Sequence, residues 1–254
     1  MTELNEERLE SLWNMIYNIS LGMLHNPADA EDASQEIFIR ILENLPSFRG
    51  ESRLETWTYR IARNHLLNFR QKRFREEISF DLFEQDITGF PAYKGELGLT
   101  PREEKIYAEE VKVGCTTAML QCLDAESRFV FVLGTIFGFD SPAGAEICGI
   151  TEEAYRQRLS RAGKKIRNFM TRNCGLINEN AECRCRKRLK IAFDRGRIDP
   201  ERLLYKTEDP KIRDCLREMN EIDAISRVYR DNPFVDRRDL FRKNLADRFA
   251  ILRE

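Results

Sequence analysis

Leu9, Leu12, Trp13, Ile16, Ile19 and Met23 recur three and four residues apart. This spacing gathers apolar side chains on one face of a helix and predicts a first helix over 5–24. Asn26 is placed to cap the next helix, Pro27 suits its first position, and Asp29 sets a carboxylate near its positive end. Ile37, Phe38, Ile41, Leu42 and Leu45 form the buried stripe of that second helix. After a loop from Pro46 to Ser52, a third helix is expected from about Leu54 to Phe74, burying Trp57, Ile61 and Leu66 or Leu67. These three helices make a first domain over 1–75.

The pattern changes at 76–109, where Gly89, Pro91, Gly95, Gly98 and Pro101 stand among acidic residues. A linker without long helices is expected there. A second helical unit follows over 110–172. In it, Glu126 to Phe137 reads as a helix, and Ser141 and Pro142 cap and open a short helix ending near Cys148. Gly149 supplies a turn, and Thr151 caps a further helix carrying Tyr155, Leu159, Ala162, Ile166 and Phe169 on one face. The remainder, 173–254, holds a cysteine cluster and helical stretches at 199–204, 211–229 and 237–252. The last of these carries an apolar stripe of Phe241, Leu245, Phe249 and Leu252. Strands find little support, so the expected fold is all-α: two small helical domains joined by an acidic linker, with a helical C-terminal extension.

The net charge of the 254 residues is only -1, but it hides segregation. Residues 1–56 carry eleven acids against four bases, while 60–75 carry six bases and no acid, and 156–172 carry seven bases and no acid. Local potential rather than net charge steers nucleic acids, so two separate basic patches point to two contacts with a polyanion. The apolar run Phe129–Leu133 is far short of the ~20 residues of a membrane span, and no secretory signal precedes the first charges. Membrane insertion is therefore not expected. Seven cysteines at irregular positions suit reduced thiols in a cytoplasm.

A helix, a tight glycine turn and a basic second helix spell a helix-turn-helix, whose second helix enters the major groove through its N-terminal residues. Arg156, Gln157, Arg158, Ser160, Arg161, Lys164 and Lys165 would meet DNA, the early ones at bases and the later ones at phosphates. A solvated amphipathic helix is the plainer alternative. The patch at 60–75 differs. It interleaves Trp57, Tyr59, His65, Phe69 and Phe74 with Arg60, Arg63, Arg70, Lys72, Arg73 and Arg75. Cations follow a backbone, aromatics accept stacked bases, and the amides of Asn64 and Asn68 can read base edges, a combination suited to melted strands. Trp57 is equally at home in a core. On the helix at 27–45, Asp29, Asp32 and Glu36 share a face beside Glu31 and Gln35. That face is either solvated or a dock for a basic protein.

Asp29-Ala30-Glu31-Asp32, Gln35-Glu36 and Phe38, then Phe48-Arg49-Gly50 and Trp57-Thr58-Tyr59-Arg60-Ile61-Ala62-Arg63-Asn64, together resemble region two of sigma factors of the extracytoplasmic-function type, in the sigma-70 family. Arg158 followed by Leu159-Ser160-Arg161-Ala162 is similar to the end of the region-four helix-turn-helix. The resemblance covers about 1–75 and 115–170. It implies an alternative sigma factor, not an enzyme, whose partners are core RNA polymerase and promoter DNA. By the same resemblance, Asp29, Glu31, Asp32, Gln35, Glu36 and Phe38 would grip the polymerase. Phe48, Arg49, Ser52, Arg53, Trp57, Arg60, Arg63, Asn64, Asn68, Arg70, Lys72 and Arg73 would read the minus-10 element, Arg63, Arg70 and Lys72 holding phosphates. The helix from Glu152, with Tyr155 at its start, would read the minus-35 box. Boxes about 25 base pairs apart lie roughly 85 Å from each other. A linker of about 33 residues reaches roughly 110 Å when fully extended, enough to join the two readers.

Two departures from the family pattern stand out. The short helix reads Ser141-Pro142-Ala143-Gly144-Ala145-Glu146-Ile147, where acids are usual and this glycine is not. Ala154-Tyr155 also replaces a common Thr-Val. The minus-35 preference therefore does not transfer, and Tyr155 is either a contact or core.

Cys174, Cys183 and Cys185 lie close together in sequence, one thiol short of a structural zinc site. Cys215 or a ligand from another chain would complete a tetrahedron for zinc or another metal. Otherwise the cluster is a redox-responsive thiol set or a loop with buried cysteines. Cys115, Cys122 and Cys148 read as small core residues. The C-terminal extension is expected to act as a regulatory module, in place of or beside an anti-sigma protein. The rival function is a stand-alone helix-turn-helix regulator, which leaves the acidic face without a task. His25 and His65 have no nucleophile partner and no phosphate loop appears, so no catalytic residue is assigned and no cofactor is required.

Overall fold

Asn26 begins the second helix as its chemistry dictates, its side-chain oxygen accepting the N–H groups of Ala28 at 2.9 Å and Asp29 at 3.1 Å. The structure, a computed structural model, describes residues 6–73, 78–89, 97–201 and 203; the side chains of residues 6 and 70–73 lie outside this set. Among the described residues the protein is all-α. Helices α1 (Glu6–Leu24), α2 (Pro27–Asn44) and α3 (Leu54–Arg73) match the three predicted from periodicity. They pack through Trp13, Ile16, Ile37, Phe38, Ile41, Ala62 and Leu66, all essentially without solvent contact.

The stretch expected as a linker holds more structure than its glycines and prolines suggested. Helix α4 spans Phe80–Thr88, capped by Ser79, and α5 spans Pro101–Met119. Pro101 opens α5 instead of breaking a helix: Thr100 and Glu103 close a capping box around it, and proline at the first helical position forfeits no hydrogen bond. The α4 rings Phe80 and Phe83 lie on Phe169, with centroids 5.3 and 5.5 Å away.

Helix α6 (Ala125–Phe131) continues through a π-helical turn over Val132–Ile136. Then come α7 (Ser141–Cys148) and α8 (Glu152–Asn173). The cap of α7 is Asp140, one residue before the expected Ser141. Gly149 takes the left-handed conformation at φ 65° in the turn, and Thr151 caps α8 by accepting the N–H of Ala154 at 3.2 Å. Apart from that one-residue shift of the α7 cap, the short helix, the glycine turn and the capped second helix stand where the sequence placed them.

Residues of both helical units share one continuous core, running from Leu12 through Val132 to Met170. Arg128 locks the junction. Fully buried, it donates to the carbonyls of Leu120 and Met23, both at 2.7 Å, to those of Gln121 and Leu123, both at 2.9 Å, and to the Gln121 side chain at 2.6 Å. A buried charge is tolerated when its donors are satisfied in this way.

After α8 the chain forms a loop with an isolated β-bridge between Cys174 and Cys183, then a 3-10 turn and α9 (Leu189–Asp194). Leu189, Ala192 and Ile198 make a second small core with Leu97, Leu99, Tyr107, Val111 and Phe193. Beside it, Arg195 and Arg197 both pair with the α4 carboxylate Asp86, and Arg188 donates to the Asp86 carbonyl at 2.5 Å. Burial pushes the Asp86 carboxyl up, but the hydrogen bonds and charges of Arg197 and Arg195 outweigh it and hold the group below its ordinary value. Asp199 to Glu201 form a turn where a helix was expected; the stretches at 211–229 and 237–252, with Cys215, lie outside the described residues. Among the described residues no helix is long and apolar enough to cross a membrane.

Candidate nucleic-acid interface

Helix periodicity divides the α2 residues into two groups. Asp32 and Glu36 face solvent, with Glu31 and Gln35 at the edge of the same surface. Asp29 and Phe38 turn inward instead. Phe38 meets Trp13 edge-on at 5.6 Å in the core, so it positions the helix and presents no surface.

On α3, Arg60, Asn64 and Asn68 are exposed on successive turns, as helical spacing requires of residues four apart. Trp57 is half-buried against Phe48, with ring centroids 5.2 Å apart. The loop that carries Phe48 also exposes Arg49 and Arg53, with Ser52 partly covered. The side chains of Arg70, Lys72 and Arg73 lie outside the described residues. His65 is buried and reaches Glu36 at 3.5 Å, tying the basic-aromatic helix to the acidic one.

On α8, Arg156, Gln157, Ser160, Arg161, Lys164 and Lys165 form an exposed basic face, while Tyr155, Ala162, Ile166 and Phe169 are buried behind it. Tyr155 is core. Its ring fills the space over Gly144 so closely that a Cβ there would stand 2.2 Å from the Tyr155 Cζ, and one on Gly134 would stand 2.9 Å from the Tyr155 Oη. The two departures from the family pattern are therefore one feature: a large ring on one helix and a missing side chain on the other.

The two surfaces that sequence assigned to DNA lie side by side. Arg63 Nη2 donates to both carboxylate oxygens of Glu126 at 2.6 Å, and Arg158 reaches the same carboxylate at 3.3 Å. Arg60 lies 4.0 Å from Glu146, and Tyr59 packs against Phe137 and Phe139 at 5.8 and 4.9 Å. Only 17% of the Arg63 side chain remains exposed. Glu126 had no local signal in the sequence, because its partners lie 63 and 32 residues away. Glycine clearance against Tyr155 is likewise invisible without the fold.

The model of sigma-70 region 2 matches residues 9–76. The ECF RNA polymerase sigma factor SigE of Mycolicibacterium smegmatis is 26% identical over 166 residues, which are 65% of this chain and 61% of that protein. The RNA polymerase sigma factor YlaC of Bacillus subtilis is 26% identical over 177 residues, which are 66% of this chain and 95% of that protein.

Residues 9–76 of this chain carry a sigma-70 region 2.

A solved complex of the sigma factor RpoE with the anti-sigma factor NepR from Bartonella quintana is 22% identical, with a TM-score of 0.46, and covers 65% of this chain and 96% of that one. The region-2 match takes in α1, α2 and α3, and the exposed acids of α2 and amides of α3 both fall inside it.

Among the described residues, no group of three or more histidine, cysteine, aspartate or glutamate side chains stands at metal-ligand spacing. Of the four cysteines considered from sequence, Cys174, Cys183 and Cys185 are half-buried neighbours, and Cys215 lies outside the described residues.

Proposed function

We infer that this chain is an alternative sigma factor. It binds core RNA polymerase, recognises minus-35 and minus-10 promoter elements, and promotes DNA melting for transcription initiation in a bacterial cytoplasm. The observation that carries this reading is the division of exposed chemistry between two adjacent helices of the region-2 match. Helix α2 offers the carboxylates of Asp32 and Glu36, while α3 beside it offers Arg60, Asn64 and Asn68. A carboxylate face repels nucleic acid and suits a basic protein surface; amides and guanidinium groups beside an aromatic suit bases freed from pairing.

Polymerase docking accordingly falls to Glu31, Asp32, Gln35 and Glu36, with Asp29 and Phe38 supporting them from inside. Reading of the minus-10 element falls to Arg49, Arg53, Arg60, Asn64 and Asn68, with Trp57 on Phe48 as a stacking platform. Arg63 joins them once it leaves Glu126. The minus-35 box is read by α8, Arg156 and Gln157 at base edges and Arg161, Lys164 and Lys165 at phosphates. Residues 1–75 act as region 2, 76–109 as the connection, 110–172 as region 4, and 173–254 as a regulatory extension, in place of or beside an anti-sigma partner. The names of the M. smegmatis and B. subtilis relatives support a polymerase partner, whereas a stand-alone regulator would leave α2 without a task.

Run-off transcription with added core polymerase tests the reading. Asp32→Ala with Glu36→Ala should abolish co-sedimentation with core enzyme. Asn64→Ala should keep co-sedimentation and weaken strand opening, read by permanganate reactivity of melted thymines. A wild-type chain that does not join the core enzyme overturns the proposal.

A further inference from the structure

Residues 184–197 carry seven bases and one acid, whereas α4 carries three acids and no base. The fold brings these opposed segments together. Arg195 and Arg197 both pair with the Asp86 carboxylate, Arg197 at 2.9 Å, and Arg186 pairs with Glu104 of α5 at 2.5 Å. Beside these ion pairs lies the second core, where Tyr107 of α5 meets Phe193 of α9 edge-on at 5.2 Å. Helix α4 is held by α8 as well: Phe80 and Phe83 lie on Phe169, and Glu84 reaches Arg172 at 3.5 Å.

The parts of this joint are weak singly. The Arg195 and Arg197 side chains remain 38% and 47% exposed, so solvent and salt screen their charges. Two guanidinium groups on one carboxylate hold better than a lone surface pair, yet the grip stays electrostatic and reversible. The second core fully buries Leu189 but leaves Tyr107, Val111 and Phe193 partly exposed. In the main core, by contrast, Trp13, Ile16 and Phe38 have no solvent contact. Segments with few buried apolar contacts open locally at less cost than such a core.

We propose that residues 184–198 are a salt-sensitive latch, whose arginines grip the connection at Asp86 and Glu104 and hold it folded against α8. The consequence falls on the tether between α3 and α6. With α4 and α5 fastened, less chain is free between those two helices, which raises the effective concentration at which Arg63 meets Glu126. Closing the latch stabilises the compact arrangement, and opening it loosens α3 from α6. Its regulatory meaning rests on the sigma-factor reading: the open form frees regions 2 and 4 to take up separate promoter elements, so the extension restrains initiation from within the chain.

Hydrogen exchange of the full chain, followed by mass spectrometry without polymerase or DNA, tests the latch. Raising NaCl from about 50 mM to about 500 mM should speed exchange in 80–88 and 189–198 together, by about five-fold or more, and leave α2 unchanged. Asp86→Asn should give the same rise at low salt, while Asp81→Asn, at an exposed acid of the same helix, should match wild type. Exchange in 80–88 that responds neither to salt nor to Asp86→Asn overturns the latch. Run-off transcription with core polymerase tests its role, Asp86→Asn being expected to yield several-fold more transcript than wild type. Equal yields from an active wild type and an Asp86→Asn chain with quickened exchange overturn the restraint. A wild type that does not join the core enzyme counts instead against the sigma-factor reading, and the exchange result still decides the latch.

Discussion

Arg63 and Glu126 form a two-pronged ion pair across the junction between α3 and α6, both contacts at 2.6 Å. The same carboxylate takes Arg158 from α8. One acid thereby holds a cation from each of the two basic surfaces.

Replacing Glu126 by Gln should therefore favour separation of the two halves. The pair is partly covered, so its loss is worth about 1 kcal/mol, or roughly a five-fold shift in the open population. Amide hydrogen exchange across 132–140 should quicken, and affinity for a promoter fragment should rise by a similar factor in the presence of core enzyme. Unchanged exchange and affinity would show that the pair does not restrain the halves.

Gly144 and Tyr155 make a second prediction. A methyl group at 144 would overlap the tyrosine ring, so Gly144→Ala should destabilise by about 1–3 kcal/mol, seen as a lower Tm. Tyr155→Phe should be nearly neutral in both stability and DNA binding, because the hydroxyl lies 3.5 Å from the Val130 carbonyl, too far for a strong hydrogen bond. A large loss of DNA affinity in Tyr155→Phe would mean that the hydroxyl leaves the core to contact the groove.

Arg128 joins α1 to the turn between α5 and α6 through four carbonyls. Arg128→Met keeps most of the bulk but strands those acceptors in a dry interior. A loss of about 3–5 kcal/mol is expected in denaturant titration, against which a loss under ~1 kcal/mol would argue for water entering the site.

His25 sits at φ 53° after α1, and burial, aided by the positive charges of Arg128 and Arg197, lowers its pKa from 6.5 to about 4. The unfolded chain takes up the proton first as pH falls. The stability from keeping this imidazole neutral is therefore whole above about 6.5 and drains away towards about 4. Between pH 7.5 and 5 the wild type should lose on the order of 1–2 kcal/mol from this group. His25→Asn, which tolerates the left-handed backbone and cannot titrate, should lose less in paired urea titrations.

Helix positions were legible because burial repeats at helical intervals: Leu12, Ile16, Ile19 and Met23 announced α1, and Asn26 announced the cap of α2. The turn at Gly149 and the Thr151 cap were equally plain, since both are local chemistry. The helix at Pro101 was misread because glycines and prolines nearby outweighed a capping box that Thr100 and Glu103 spell in four residues. The pairing of Arg63 with Glu126 and the grip of Arg195 and Arg197 on Asp86 had no local signature. Each depends on how distant segments pack, which hydrophobic periodicity does not encode.

Asp86 lies in α4, ahead of α5, α6, α7 and α8, whereas Arg195 and Arg197 come after all of them, 109 and 111 residues away. One carboxylate thus closes a very long loop, and the entropy of such closure grows only slowly with the number of residues enclosed. Opening that clasp would let the segment before α5 and the segment after α9 part while the core around Trp13 and Phe38 stays intact.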